Sequence, residues 1–97
     1  MVIKPLTTGE SIFQPPFSKK LKVGYVTLQK NQEIGAHTTT DKEEVLFILE
    51  GTAHVIVANE QQEVTAGHLI YIPPETLHNV VNRNIKPLKY LYLVGLL

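Results

Sequence analysis

The chain has no cysteine and no tryptophan. Without thiols there is no disulfide framework, no Cys nucleophile, no Fe–S cluster and no thiolate zinc finger. Their lack fits a reducing compartment, and a cytoplasmic location is the expectation. Net charge is lacking too, since nine Lys plus Arg balance nine Asp plus Glu. Such a balance exerts no general pull on nucleic acid or anionic membrane, so neither is expected as a partner. The one basic cluster, Lys19, Lys20 and Lys22, reads as a solvated strand end. No apolar run approaches the roughly 18 residues that span a bilayer. The opening Met-Val-Ile-Lys-Pro has neither the apolar core nor the cleavage site of a signal peptide.

Helical periodicity is also missing: no stretch of about ten residues carries it. What is present is a succession of short β-branched and aromatic runs. Leu21–Lys30, Ile34–Thr40, Val45–Glu50, Thr52–Ala58, Gln62–Thr65, His68–Ile72, Leu77–Asn82 and Leu88–Val94 are separated by turn residues. Close, regular spacing of this kind predicts an all-β sandwich or barrel. Pro73-Pro74 cannot lie within a central strand, so the chain turns there. At 97 residues the chain is one domain, with a thin core. Residues 1–20, punctuated by Pro5, Gly9, Pro15 and Pro16, form an N-terminal arm, with Phe13 and Phe17 expected to tuck against the body. Residues 21–97 form the barrel. Val45–Glu50 and Leu88–Val94 are apolar on both faces. A small barrel buries only its inward face, so the outward face predicts a homodimer.

The chemistry-bearing residues are His37, Glu44 and His78. Two neutral imidazoles and a carboxylate suit a borderline divalent cation. No Ser-His-Asp set, phosphate-binding Gly loop or dinucleotide fingerprint occurs. Among the other histidines, His54 is a candidate for the pocket, whereas His68 follows Gly67 at a turn. Tyr71, Tyr90 and Tyr92 each fit core packing or a pocket wall, and Tyr92 is taken as a pocket candidate.

These residues fall into two motifs that resemble those of a small single-domain cupin. In the first, Asn31 is followed by five residues, His37-Thr38-Thr39, four residues, Glu44, six residues and Gly51. In the second, Gly67 is followed by five residues, Pro73, one residue, Glu75, two residues, His78, three residues and Asn82. Three positions depart from the family pattern. Asn31 and Glu75 stand where the family has glycines, and Thr39 stands where it usually has a second ligand histidine. Asn31 tolerates a left-handed turn; Glu75 suggests an altered bend before His78.

The resemblance implies a cupin double-stranded β-helix, or jelly roll, with His37, Glu44 and His78 converging inside it. It implies a divalent transition metal (Fe, Mn, Zn, Ni or Cu) held by two His and one Glu. Thr39 would share the face of His37 and hydrogen-bond a metal-bound water. The implied activity is dioxygenase-, isomerase- or lyase-type chemistry on a small polar molecule. The alternative is a non-catalytic sensor of a small ligand with a degenerate metal site.

Overall fold

The computed structural model describes Met1–Leu97. It contains eight strands in chain order: β1 Leu21–Leu28, β2 His37–Thr38, β3 Lys42–Glu50, β4 Thr52–Val57, β5 Glu60–Thr65, β6 Leu69–Ile72, β7 Leu77–Val81 and β8 Leu88–Leu96. They form two four-stranded sheets, ordered β1-β8-β3-β6 and β2-β7-β4-β5. All neighbouring strands are antiparallel. The chain is all-β, as its turn spacing predicts.

Side-chain alternation decides where the core sits. On β3 the residues sharing one face are Lys42, Glu44, Leu46 and Ile48; on β1 they are Lys22, Gly24, Val26 and Leu28. Both series run from polar to aliphatic. Because β1 and β3 each pair antiparallel with β8, they run in the same direction. Their aliphatic ends therefore coincide, and so do their polar ends. Leu28, Leu46, Ile48, Ile72, Leu88 and Tyr90 meet Ala53, Val55 and Val80 of the facing sheet and fill one end of the barrel. Each fully buried aliphatic side chain contributes about 1.5–3 kcal/mol. The other end stays open.

Three turns are fixed by close approach or backbone sign. Gly51 has φ +81, and a Cβ there would lie 2.5 Å from the Pro87 carbonyl oxygen, so only glycine fits. Asn31 adopts φ +66, the left-handed conformation expected for it. Glu75 likewise adopts φ +55. The left-handed turn survives the loss of glycine there, because the Glu75 carboxylate accepts a hydrogen bond from the Asp41 amide at 2.8 Å.

The Ile34–Thr40 run is strand only at His37–Thr38. The arm adds bridges at the edge of β1: Phe13 pairs with Val23 and Thr8 with Tyr25. Phe13 is half-buried, but Phe17 is 61% exposed and stacks on the Phe13 ring instead of the body, at 5.7 Å between centroids. Lys4 sits over both rings and covers them in place of the barrel wall.

Candidate metal centre

β2 and β7 pair so that His37 lies directly across from His78. Their rings are 4.1 Å apart, edge to face. Glu44 comes from the opposite sheet, on β3 between Ile72 of β6 and Val94 of β8. The site therefore bridges the two sheets. The ligand atoms offered by His37, Glu44 and His78 all lie within 4.8 Å of one another. Glu44 and His78 are buried, at 8% and 2% exposed, while His37 faces the opening.

The chain sets the tautomer of both imidazoles. His37 Nδ1 lies 2.8 Å from the Gly35 carbonyl oxygen, and His78 Nδ1 lies 3.0 Å from that of Thr76. A carbonyl only accepts, so each Nδ1 carries a proton, and in the neutral ring each Nε2 presents a lone pair. His78 Nε2 is 3.1 Å from Glu44 Oε1, but the angles are not those of a hydrogen bond. It is the only buried side-chain polar atom in the protein without a hydrogen-bond partner. In the neutral ring an imidazole lone pair and a carboxylate oxygen thus face each other with no hydrogen bond between them. An orphaned buried acceptor costs about 1–3 kcal/mol, and a cation between the two groups would relieve it. The donor set fits a divalent metal.

Local hydrogen bonds hold this arrangement. The Asn79 carboxamide accepts from the Gly35 amide at 3.0 Å and donates to Glu33 at 3.2 Å. The Ile34 amide donates to the Val80 carbonyl at 3.0 Å. These bonds strap the loop before His37 onto β7. Asn82, fully buried, donates to the carbonyls of Leu28 and Lys86 and accepts from the Asn84 amide, closing the β7–β8 turn.

Thr39 does not point into the site. β2 ends at Thr38, so the alternation that would align Thr39 with His37 is broken. Its hydroxyl is fully buried, donates to the Pro73 carbonyl at 2.6 Å and accepts from the Thr76 amide at 3.0 Å. The Glu75 amide returns a bond to the Thr39 carbonyl at 2.7 Å. Thr39 therefore ties the turn after His37 to the turn before His78. The reading of Thr39 as a partner for a metal-bound water is corrected accordingly.

His54 is also outside the site. It lies on β4 between the inward Ala53 and Val55, so it faces away from the cavity. Its Nδ1 meets Glu63 at 2.7 Å and its Nε2 meets Gln61 at 3.0 Å, both on β5. His68 reaches back only to Thr65 at its own turn.

The open end holds a cavity of about 260 Å³, lined by the three candidate ligands and by Leu46, Val80, Tyr90 and Tyr92 among others. Tyr92 lies on this wall, over Gly24, where a Cβ would meet its ring at 2.1 Å. The Tyr92 hydroxyl is 2.8 Å from Ser11 of the arm. Burial, with the Glu44 carboxylate beside it, holds the Tyr90 phenol far above its ordinary ionisation range. Two further lining residues, Lys22 and Lys42, escaped the reading from sequence. The signal was present, because Lys42 shares the strand face of Glu44 and Lys22 that of Gly24.

A family model for the Cupin domain matches residues 24–94. The chain is a cupin. A relative in Methanocaldococcus jannaschii, itself an uncharacterised protein, is 44% identical over 55 residues. That match covers 57% of this cupin and 44% of the relative, so the chain spans less than half of the relative's length. Solved structures agree on the fold. The cupin domain of Schizosaccharomyces pombe Cnp3 superposes with a TM-score of 0.81 at 15% identity, covering 89% of this cupin and 61% of that chain. A Cupin 2 conserved barrel domain protein from Salinispora arenicola gives 0.81 at 18% identity, covering 98% of this cupin and 88% of that chain. No helix of this cupin is long and apolar enough to cross a membrane.

Proposed function

We propose that this cupin binds one divalent first-row transition ion through His37 Nε2, a Glu44 carboxylate oxygen and His78 Nε2, and acts with it on a small polar molecule. The observation that carries the proposal is the orphaned Nε2 of His78 facing Glu44 in a buried wall. The carbonyl bonds that fix both tautomers support it, since ligating histidines ordinarily have the other ring nitrogen held in this way. Two imidazoles and one carboxylate resemble the facial set that leaves coordination positions open for a substrate.

A bound ion would supply Lewis-acid polarisation of a substrate oxygen. The chain's own residues do the rest. Gly35 and Thr76 orient the imidazoles. Leu46 and Val80 keep the inner wall dry. Tyr90 holds its proton and serves as a neutral phenol, not a base.

Elemental analysis of protein purified without chelators or a polyhistidine tag should find bound metal. Adding Zn²⁺ or Mn²⁺ at about 100 times its dissociation constant should stabilise the fold by about 2.7 kcal/mol, a rise in Tm of about 10–20 °C for a domain of this size. His78→Ala and His37→Ala should each abolish the rise. Wild-type protein that carries no metal and gains no Tm from added metal would refute the proposal.

We also propose that two copies associate through the outward face of the β1-β8-β3-β6 sheet. Leu69, Tyr71 and Leu93 are exposed there, beside half-buried Val45, Phe47 and Leu91. Water contact with a continuous apolar face favours burial against a second one.

A further inference from the structure

We infer that the ligand of this barrel is a small organic acid, held at one end by the metal centre and at the other by the ammonium groups of Lys22 and Lys42. The inference rests on the metal reading for the first end; the lysine end stands on separate observations.

Both lysines line the same cavity as His37, Glu44 and His78. The strand register explains how they get there. Lys22 pairs with Val94, and Val94 pairs with Glu44, so Lys22 and Glu44 lie in one row across β1, β8 and β3. Lys42 precedes Glu44 by two residues, one step closer to the barrel mouth on the same face. Adjacent strands are about 4.8 Å apart, so Lys22 lies two spacings, about 10 Å, from Glu44, and two residues along a strand span about 7 Å. A four-carbon lysine stem covers much of either distance.

The charge balance of the cavity is one-sided. Glu44 is its single carboxylate, and it is claimed by the metal centre. The salt bridges of the protein are His54–Glu63, His78–Glu44 and Lys89–Glu50, and neither cavity lysine takes part in any of them. Both are half-buried. Two half-buried lysine side chains with no salt-bridge partner in the protein, on the sheet that also carries Glu44 and facing the one that carries His37 and His78, favour an anionic group in the space between. A divalent ion adds positive charge in the same direction. The cavity, at about 260 Å³, lies below the range of about 300–1,000 Å³ typical of pockets for larger ligands. A short carboxylic acid suits that volume.

Succinate and succinamate, its monoamide, test the lysine end. Each has one carboxylate for the metal; only succinate carries a second charge for the lysines. Calorimetric titration of metal-loaded wild-type protein should show succinate binding at least about tenfold tighter, as expected for opposite charges a few ångströms apart. The Lys22→Gln/Lys42→Gln double variant should bind both compounds alike, with wild-type metal content by elemental analysis. Loss of preference in the double variant with metal retained assigns the lysines. Equal affinities in the wild type, a preference that persists in the double variant, or no saturable binding of either compound would overturn the inference. Repeating the titrations on metal-free protein separates the two readings. If no metal is ever taken up, the metal proposal fails, while a lysine-dependent preference for succinate still supports the anionic end.

Discussion

Replacing Thr39 by valine tests how the metal centre is held together. Valine keeps the branched shape and removes only the hydroxyl. That hydroxyl is fully buried, donates to the Pro73 carbonyl and is the acceptor for the Thr76 amide. The substitution leaves one buried acceptor and one buried donor without partners. Each unpaired group costs about 1–3 kcal/mol, and part of that is recovered as the turn relaxes, so a loss of about 2–3 kcal/mol is expected. In a domain of this length each kcal/mol shifts Tm by about 4–8 °C, which gives a fall of about 10–20 °C. Thermal unfolding followed by circular dichroism measures it, with Thr39→Ser as the control that restores both bonds. The same structure predicts that Thr39→His does not complete a four-ligand set, because the side chain at this position points at the Pro73–Thr76 turn and not at His37. A valine variant with unchanged Tm, or a histidine variant that binds metal more tightly at full stability, would show that Thr39 faces the cavity after all.

Tyr90 sets a limit on alkaline stability. Its folded-state ionisation is pushed above the ordinary value of 10.0, mainly by burial and then by Glu44. The folded state therefore keeps a proton that the unfolded chain loses, so stability is full below about pH 10 and declines as pH rises beyond it, by up to about 1.4 kcal/mol per pH unit. Denaturant unfolding across that range measures the decline, and Tyr90→Phe should flatten it; an equal slope in the variant would contradict the buried-phenol account. Association through the β1-β8-β3-β6 sheet predicts a dimer in sedimentation velocity and a folded monomer for Leu69→Lys/Leu93→Lys. A wild-type monomer at high concentration would leave the outward face without the proposed partner.

Much of the fold is legible from alternation and turn chemistry alone. β4 runs from Thr52 to Val57 and β7 from Leu77 to Val81, each within one residue of the apolar runs that mark them. β3 begins at Lys42, three residues before its apolar run, because Lys42 and Glu44 occupy inward positions at the barrel mouth where apolar residues are not required. The same fact hid Lys42 as a site residue. Polar residues on an inward face look like a turn until the partner strand is known. His54 is ambiguous for a related reason: in Thr52–Val57 both parities are apolar, so only pairing with β5 shows which face carries it.

The order of the strands and the two spaced motifs are properties of the linear chain, because period-two burial and glycine-bearing turns are written residue by residue. From them come the β architecture and the identity of His37, Glu44 and His78. Only the closed barrel decided the direction of each remaining side chain. Thr39 turned away where β2 stopped one residue short, and Lys22 joined the site because β1 and β3 run the same way on either side of β8. Such directions depend on strand ends and cross-strand partners, which are contacts between distant parts of the chain and have no local signature.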